Sequence, residues 1–377
     1  MSRQMHAPRA DWQAKVEEIG FIWHTAGGPY WDERSSYVFS RQQIAEIESA
    51  SAELYRLFLE AGQDIVERNL LSEFGIPAWA AGLIRETWDA EPPALNYGRL
   101  DLGYDGASPP KLFEFNCDTP TSLFEASVVQ WLWKEEVFPG ADQFNSIHER
   151  LVAKWRDLKP LLPSPLYFAH GEEDSGEDML TTTYLRDTAR EAGIESEPIL
   201  MSDIGWNAGR ACFTDLQERQ IGALYKLYPW EWIVAETFGR NIPNSKPILW
   251  IEPIWKMMWS NKRILAYLWW RYPDHPNLLP AFDHPNGMTS YARKPCLSRE
   301  GANVQIVRNG EEVERAEGAY GDGPVIYQAL YDLPLTDGGY PVIGSWIVDG
   351  EPAGMGIREA GLVTGNLARF IPHLIRD

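Results

Sequence analysis

Two acids and an amide stand where a bound cation would make them compatible. In the segment from Arg99 to Thr121, apolar and polar residues alternate on both sides of a turn rich in Asp, Gly and Pro, and this pattern predicts a β-hairpin. Pairing the two strands around the turn sets Asp101 opposite Glu114 and Arg99 opposite Asn116. Carboxylates that face each other about 5 Å apart repel. A divalent ion between them would turn that repulsion into attraction.

The ligand types indicate which ion this would be. Oxygen ligands from Asp, Glu and Asn suit a hard ion such as Mg²⁺, which takes one or two protein carboxylates and completes its shell with water and phosphate oxygens. We therefore predict a metal site at Asp101, Glu114 and Asn116, with Arg99 beside it for a second anion. The alternative is an exposed hairpin in which Arg99 neutralises one acid. Side chains of the other face are predicted to enter the core: Leu100, Leu102, Phe113 and Phe115.

Composition narrows the class of protein. The 377 residues carry a formal net charge of −20, which argues against a nucleic-acid or anionic-membrane surface because such surfaces are basic. The 17 tryptophans suit core and groove walls. The chain begins without a signal-like apolar segment and has no membrane-length apolar run, so we expect a cytoplasmic protein. The three cysteines are far apart, which predicts free thiols.

Two polar segments follow the hairpin. Thr119, Thr121 and Ser122 stand just before a helical pattern, so their hydroxyls and the helix amino end predict either a seat for an anion or simple capping. Farther on, residues 165–199 read as strand, acidic loop, helix and strand. The loop, with Glu177 and Asp178 at its end, could meet an ammonium group or simply be solvated. Residues 223–236 are predicted to pack as a helix. Near the end of the chain, Asp349–Gly350 is predicted to form a hairpin turn between two strands.

The C-terminal half supplies cations for an anionic ligand. No GxxxxGK[ST] phosphate loop, HExxH or GxSxG occurs, so a nucleotide site would need another design. Lys262 is predicted at a helix start, and Lys294 on a strand before a flexible loop that contains Arg299 and Gly301. These groups could converge on phosphates, since the guanidinium fork suits phosphoryl oxygens and Gly lets backbone amides approach. Taken singly, each of these residues is better explained as an ordinary surface charge.

Ordered sequence blocks along nearly the whole chain carry a resemblance. They are the R-x-D of Arg99 and Asp101, EFNCDTPTS from Glu114, EPIWKMMWSNK ending at Lys262, HPNLLPAF, YARKP with Lys294, SREGANV and IYQALY. These blocks resemble the synthetase domain of the glutathionylspermidine synthase family, which has an ATP-grasp fold. The resemblance implies an α+β ATP-grasp protein in three parts. These are a helical N-terminal lobe (1–95), a pre-ATP-grasp-like substrate lobe with the metal hairpin (96–205) and a nucleotide-binding region (206–377).

The resemblance also implies roles for individual residues. It agrees with the hairpin argument on magnesium at Asp101, Glu114 and Asn116, and it gives Arg99 and Arg299 to the transferred phosphoryl group as catalytic residues. It implies ATP contacts at Arg99, Asp101, Lys262, Lys294, Gly301, Gln328, Ala329, Leu330, Tyr331, Ile357, Arg358 and Glu359. It implies substrate contacts at Thr119, Thr121, Glu177 and Asp178.

Some positions depart from the family pattern. Thr119 and Thr121 stand where the family has serines, and Asp178 stands where it has Glu, so glutathione and spermidine do not follow as substrates. The bifunctional family member has an additional amidase domain before the synthetase. Because this sequence starts too late to contain that domain, hydrolysis of the product is not expected.

The expected function is ATP- and Mg²⁺-dependent ligation. A small carboxylic acid, with a peptide as one candidate, would be activated as an acyl phosphate and joined to an amine, with a polyamine as one candidate. Two alternatives remain open. One is a non-catalytic nucleotide-binding subunit that retains the fold, and the other is an activity that stops at the acyl phosphate.

Overall fold

The computed structural model describes residues 1–25, 28–365 and 368–376. Its helices are α1 (Trp12–Glu18), α2 (Arg41–Glu67), α3 (Ala78–Ala90), α4 (Gln130–Val137), α5 (Ile147–Leu158), α6 (Glu177–Glu191), α7 (Trp230–Ala235), α8 (Lys256–Trp259) and α9 (Arg263–Arg271). Its strands are β1 (Ser2–Met5), β2 (Ser35–Phe39), β3 (Gly98–Gly103), β4 (Lys111–Asn116), β5 (Leu166–His170), β6 (Ser196–Leu200), β7 (Gly205–Asn207), β8 (Cys212–Thr214), β9 (Ala223–Leu227), β10 (Leu249–Ile251), β11 (Ala281–Phe282), β12 (Tyr291–Pro295), β13 (Gln305–Arg308), β14 (Glu311–Arg315), β15 (Val325–Ala329), β16 (Tyr340–Val348), β17 (Glu351–Ala360), β18 (Arg369–Ile371) and β19 (His373–Ile375).

Three sheets matter for the site. The hairpin sheet is antiparallel with the order β18-β17-β16-β3-β4. The lysine sheet is antiparallel with the order β11-β15-β12-β13-β14. The parallel sheet has the order β10-β9-β5-β6. A smaller sheet, β1-β2-β19, joins strands from the two ends of the chain.

The predicted hairpin register is confirmed. Strands β3 and β4 pair Arg99 with Asn116 and Asp101 with Glu114. The pairing then shifts by one residue, because Leu102 faces Leu112 and leaves Phe113 as the extra residue of a β-bulge. Strict alternation is broken there.

The bulge corrects one prediction of the core face. Leu100, Leu102 and Phe115 are buried in the largest apolar cluster, as predicted. Phe113 is not, and it lies against the Tyr331 ring with 6.2 Å between ring centroids. The bulge turns its side chain to the polar side of the hairpin.

Helix α2 supports the hairpin from its apolar side. Ser40 and Gln43 form a reciprocal capping box that starts the helix. Apolar residues at helical spacing then give one buried face, on which Phe58 meets Phe115 with ring centroids 5.0 Å apart. Because this contact fixes one face of β4, the polar face is presented in a defined position.

The other predicted elements are mostly confirmed. The strand–helix–strand unit over 165–199 is β5, α6 and β6, with β5 and β6 parallel. The Asp349–Gly350 turn joins β16 and β17, and both of its residues have positive φ, as a tight hairpin turn requires. The helix predicted over 223–236 is wrong in its first half, which is strand β9. That strand lies between β5 and β10 and is fully buried, and central parallel strands read as continuous apolar runs.

The N-terminal region contains strands as well as the predicted helices. Helices α1 to α3 are present, but β1 pairs with β2, and β2 pairs with β19 near the other end of the chain. Strand β3 likewise pairs with β16. The predicted parts therefore share sheets, and the three-part division stays a prediction.

A buried carboxylate connects these strands. Glu359 on β17 is 1% exposed and accepts hydrogen bonds from Arg3 Nε at 2.7 Å and Arg369 Nη2 at 3.3 Å. The Tyr37 hydroxyl donates to the same carboxylate. One acid therefore joins β1, β2, β17 and β18.

The cysteines and the apolar segments were two features on which the composition gave expectations. The three cysteines are free and buried, as predicted. Across residues 1–25, 28–365 and 368–376, no helix is both long and apolar enough to cross a membrane.

Candidate active site

A cavity opens between the polar face of the hairpin sheet and the lysine sheet. We call it the first cavity. It is lined by most of the predicted site residues, which are Arg99, Asp101, Glu114, Asn116, Thr119, Thr121, Lys262, Lys294, Arg299, Gly301, Gln328, Ala329, Leu330, Tyr331 and Arg358. The tertiary fold thus brings together groups that lie up to 259 positions apart in the sequence, from Arg99 to Arg358.

Asp101 is held by two arginines. Its Oδ1 lies 2.7 Å from Arg99 Nε, and its Oδ2 lies 2.7 Å from Arg358 Nη2. Arg99 also donates from Nη1 to the carbonyl oxygen of Thr121 at 2.6 Å. Burial lowers the pKa of Arg99, but the Asp101 charge outweighs burial and raises it, so the guanidinium stays charged. The ion pair that the alternative interpretation required is present, but Arg99 and Asp101 are buried rather than on an exposed hairpin.

Glu114 faces two ammonium groups. Its Oε2 lies 3.2 Å from Lys262 Nζ. Burial by itself raises the pKa of Glu114, but the charges of Lys262 and Lys294 outweigh burial and lower the pKa well below its ordinary value. Burial lowers the pKa of Lys294 to about 8, against the attraction of Glu114. The carboxylate is therefore ionised throughout the neutral pH range.

The ammonium groups of Lys262 and Lys294 are oriented by hydrogen bonds to acceptors on neighbouring elements. Lys262 Nζ donates to the carbonyl oxygen of Ser298 at 2.6 Å. Lys294 Nζ donates to Gln328 Oε1 at 2.7 Å and to the carbonyl oxygen of Phe113 at 3.1 Å. The ammonium groups thus converge from α9 and β12 on one cavity, which supports the interpretation as an anion site over that of scattered surface charges.

The donor set at the hairpin fits a hard dication. The Asn116 amide nitrogen lies 3.3 Å from Asp101 Oδ2 and 3.0 Å from Glu114 Oε1, so one point is within reach of both carboxylates. Within the described parts of the chain, no group of three or more His, Cys, Asp and Glu side chains is placed to hold a metal. An ion here would need phosphate or water oxygens to complete its shell, which is the usual situation for Mg²⁺.

Arg299 has a partner that the sequence did not indicate. Its guanidinium forms an ion pair with Glu231 on α7 and lies 5.1 Å from the centre of the Trp232 ring. The neighbouring Gly301 has φ +70°, and a Cβ there would come within 2.6 Å of Val363. A residue without a side chain is needed at this position because the two loops meet there.

Two residues predicted to contact ATP lie elsewhere. Ile357 is fully buried in the core, and Glu359 is held in the arginine network described above. Both flank Arg358 on β17, and successive side chains of a strand point to opposite faces. Only Arg358 of this trio has its side chain at the cavity, and the ATP contacts at Ile357 and Glu359 stay predictions.

Three of the four predicted substrate residues line a cavity. Thr119 and Thr121 line the first cavity and a second one beside it, Asp178 lines only the second, and Glu177 lines neither. The segment that follows β4 is anchored by Asp118. Its carboxylate accepts hydrogen bonds from Lys226 Nζ at 2.6 Å and from the backbone N–H of Trp230 at 2.7 Å. Asp118 is thus tied to β9 and α7.

Glu177 and Asp178 form an acidic pair at the start of α6. Burial, then the carboxylates of Glu125 and Asp178, raise the pKa of Glu177 to about 8. Burial, then Glu173 and Glu300, raise the pKa of Asp178 to about 6. Raised pKa values mark acidic groups whose negative charge is uncompensated in the protein alone, and of these two only Asp178 lines a cavity. Such groups favour a cationic ligand.

Sequence reasoning missed several cavity residues. Tyr30, Phe113, Glu231 and Ser298 also line the first cavity. Phe113 lines the cavity because of the bulge, which the sequence did not predict. Ser298 contributes its backbone carbonyl oxygen, and because every residue has one, the sequence gives no signal for it. Tyr30 and Glu231 come from distant elements, and no local pattern in the sequence singles them out.

Comparisons with known proteins identify relatives. Residues 3–376 match the family "Glutathionylspermidine synthase preATP-grasp". The chain is 39% identical over 383 residues to the "Putative acid–amine ligase" of Haemophilus influenzae, with 97% of both chains covered. It is 26% identical over 354 residues to the bifunctional glutathionylspermidine synthetase/amidase of Escherichia coli, and 27% identical over 347 residues to the trypanothione synthetase of Crithidia fasciculata. The alignments cover 56% and 52% of those two proteins.

A solved structure shares the fold. It is a glutathione synthetase-like effector from Globodera pallida in its apo form, with a TM-score of 0.57, 13% sequence identity, and 90% of this chain and 88% of that chain covered. Fold and relatives together define an ATP-dependent synthetase of the amide-forming class. Within that class, the chain belongs to the glutathionylspermidine synthase preATP-grasp family, as the sequence blocks predicted.

Gly344 tests the positioning of Arg99. A Cβ at Gly344 would lie 2.7 Å from Arg99 Cδ, so Gly344→Ala should push the guanidinium off Asp101. We expect ATP turnover to fall about tenfold or more, since small misplacements of catalytic groups are costly. Turnover is measured by ADP release. Gly82→Ala is the matched control, because a Cβ there meets nothing within 4 Å. Unchanged turnover in Gly344→Ala would contradict this role of Arg99.

Glu359 distinguishes a structural from a nucleotide-binding role. Glu359→Gln should destabilise the fold by about 2–4 kcal/mol, because two arginines lose a buried counter-ion. ATP affinity should stay within about twofold, since sites without shared contacts behave independently. Denaturant titration and calorimetry measure the two effects. The neighbouring Arg358→Gln should do the reverse and weaken ATP binding about tenfold. Weakened ATP binding in Glu359→Gln would instead support the predicted ATP contact at Glu359.

The acidic pair predicts a pH dependence of stability. Because the folded-state pKa of Glu177, about 8, exceeds the ordinary value of 4.5, its ionisation should lower stability progressively as pH rises between these values. Glu177→Gln should therefore be more stable than the wild type at pH 8, by about 1–2 kcal/mol for a partly exposed group, with a smaller gain near pH 4. Urea unfolding at both pH values measures this. The exposed Asp174→Asn, in the loop before α6, is the control.

Proposed function

We propose that the protein joins a small carboxylic acid to an amine at the expense of ATP, through an acyl-phosphate intermediate. The observation that carries the proposal is the group of cations at the polar face of the hairpin. Four of them, Arg99, Arg358, Lys262 and Lys294, surround the carboxylates of Asp101 and Glu114. Around these two acids the cations are in excess by two, in a chain of net charge −20. Such a local group of cations in an acidic protein attracts an anionic ligand such as a triphosphate.

The nucleotide is assigned to the lysine side of the first cavity. Lys262 and Lys294 hold its phosphates, and Gln328 to Tyr331 with Gly301 form the wall around it. The bulged Phe113 and Tyr331 supply apolar surface on which a base can stack. Arg99 and Arg299 stabilise the phosphoryl group during its transfer.

Asp101, Glu114 and Asn116 are proposed to hold Mg²⁺. When bound, the ion would neutralise phosphate charge and orient the triphosphate. Arg358 and Arg99 hold the Asp101 carboxylate in place through hydrogen bonds to its two oxygens.

The reaction then follows from positioning. The γ-phosphoryl group passes to a substrate carboxylate, which gives the acyl phosphate and ADP. The amine nitrogen attacks the carbonyl carbon, phosphate leaves, and the nitrogen loses a proton. No covalent protein nucleophile is needed, and Cys117 is buried, with burial raising its thiol pKa to about 12. The loop around Gly301 meets residues near Val363 over the cavity and would keep water from the acyl phosphate.

We further propose that the protein acts in the cytoplasm, where ATP and free thiols are both maintained. The acid and the amine are small molecules in this proposal. Thr119, Thr121, Glu177 and Asp178 are assigned to their recognition, and Thr119 and Thr121 lie at the boundary of the two cavities.

The test is product formation. The protein is incubated with ATP, Mg²⁺ and pools of small peptides and amines, and condensed products are sought by mass spectrometry. Asp101→Asn and Glu114→Gln should each lower ADP formation by about 10²–10³-fold, because each removes charge that organises the triphosphate. The exposed Glu312→Gln is the control. Wild-type ADP formation in both site variants would contradict the metal assignment.

Two further outcomes separate the alternatives. Hydroxylamine traps an acyl phosphate as a hydroxamate, so a hydroxamate without any amide product would indicate an activity that stops at the intermediate. Nucleotide binding without ADP release or product, across all pools, would favour a non-catalytic subunit.

A further inference from the structure

Arg299 lies at the junction of the first and second cavities. Its side chain lines both, and the residues before and after it in the loop, Ser298 and Glu300, also line the first cavity. Lys262 ties this loop to the cavity by donating a hydrogen bond to the carbonyl oxygen of Ser298 at 2.6 Å. The backbone of Arg299 therefore lies close to a lysine that is assigned to the phosphates of ATP.

The guanidinium of Arg299 is bound to an acid. It donates a hydrogen bond from Nη2 to Oε1 of Glu231 in the first turn of α7, and it lies 5.1 Å from the centre of the Trp232 ring, which is cation–π geometry. Burial lowers the pKa of Arg299, but the Glu231 charge outweighs burial and raises it. Only 26% of the Arg299 side chain and 12% of the Glu231 side chain are exposed. Glu231 thus neutralises, in a largely buried ion pair, a charge that is assigned to the phosphoryl group.

Glu231 is held in a fixed position by its neighbour Trp230. The Trp230 side chain is buried, its backbone N–H donates to Asp118 at 2.7 Å, and its ring N–H donates to the carbonyl oxygen of Glu252 at 3.0 Å. The start of α7 is thus tied to two other parts of the chain. The carboxylate that meets Arg299 therefore comes from a rigid element.

The loop that carries Arg299 has a costly backbone conformation. Glu300 and Asn303 have φ values of +54° and +58°, which residues with a side chain rarely adopt and which surrounding contacts must offset. The ion pair of Arg299 with Glu231 is one of these contacts. Strands β12 and β13 on either side of the loop pair with each other. Loss of the ion pair should therefore loosen the loop without unfolding the strands.

Glu231 and a phosphate would compete for the same guanidinium. Glu231 lines the first cavity as well, so its carboxylate and a triphosphate assigned to that cavity would carry like charges in one space. Like charges repel most strongly where water is excluded. A phosphate oxygen that approaches Arg299 would therefore weaken the ion pair with Glu231.

We propose that Glu231 is a positioning residue that holds the Arg299 guanidinium against α7, and that the phosphates of ATP displace Glu231 by binding the same guanidinium. This inference rests on the proposed function, because it takes ATP to bind in the first cavity. Arg299 exchanges Glu231 and Trp232 for phosphate oxygens when ATP binds, and it returns to them when the phosphates leave. Glu231 therefore lowers the affinity for ATP.

The test is a double-mutant cycle in nucleotide affinity, measured by calorimetry with Mg²⁺ and the non-hydrolysable β,γ-imido analogue of ATP. Glu231→Gln should bind the analogue at least threefold more tightly than the wild type, because the Arg299 guanidinium is released from its charged partner. In the Arg299→Gln background, Glu231→Gln should bring no such gain. An ion pair with only a structural role predicts unchanged or weaker affinity. Either of these results in folded Glu231→Gln would overturn the inference.

Glu300→Gln is the matched control for charge. Glu300 lines the same cavity and follows Arg299 in the chain, so its replacement removes one negative charge close to the same place. An equal gain in Glu300→Gln would show that lost repulsion alone explains the affinity, and the inference would be rejected. Circular dichroism establishes that each variant is folded. If Glu231→Gln is not, Glu231→Asp replaces it and should give a smaller gain, and no gain there would count against the inference.

Hydrogen exchange follows the loop without any nucleotide. The backbone amides of residues 297–303 should exchange at least twofold faster in Glu231→Gln than in the wild type, as measured by mass spectrometry. Glu236→Gln is the control, because Glu236 lies at the other end of α7 and accepts a hydrogen bond from the Tyr228 hydroxyl. Unchanged exchange in Glu231→Gln would overturn the role of Glu231 in holding the loop.

Failure of this inference can be told apart from failure of the proposed function. Nucleotide binding by the wild type, with no gain in Glu231→Gln, would reject the inference and leave the proposed ligation standing. A gain that depends on Arg299, without any ATP-dependent amide product from the pools of peptides and amines, would support the inference and reject ligation. No nucleotide binding by the wild type or any variant would reject both.

Discussion

The structure depends on two acids placed face to face inside the protein. Asp101 and Glu114 are paired across β3 and β4, where like charges destabilise a sheet. Two arginines hold Asp101 and two lysines lower the pKa of Glu114. These cations arrive from β3, β12, β17 and the start of α9. The hairpin's polar face is therefore stable only when the lysine sheet and β17 are docked on it, so the need to neutralise these acids assembles the cavity.

Charge then divides the site into two regions. The first cavity gathers four cations around Asp101 and Glu114, while the described lining of the second has five carboxylates, one arginine and several aromatic rings. Arg299 stands at their boundary and is balanced by Glu231.

Sequence analysis was most successful where contacts are local. The register of the hairpin follows from its turn and from alternation, so the pairing of Asp101 with Glu114 was predicted correctly. The strand–helix–strand unit and the Asp349–Gly350 turn likewise depend on neighbours in the chain. Family blocks around Lys262 and Lys294 indicated groups that the structure does place in one cavity.

The sequence by itself determined which charged groups the site has and how the hairpin pairs. Only the tertiary structure decided which of them share a cavity. A one-residue bulge turned Phe113 toward the site, and strand alternation gave Arg358 to the cavity but Glu359 to a buried arginine network. Glu231 became the partner of Arg299 through the docking of α7. The physical reason is that packing between distant segments sets these positions, and no pattern within a local window of sequence records that packing.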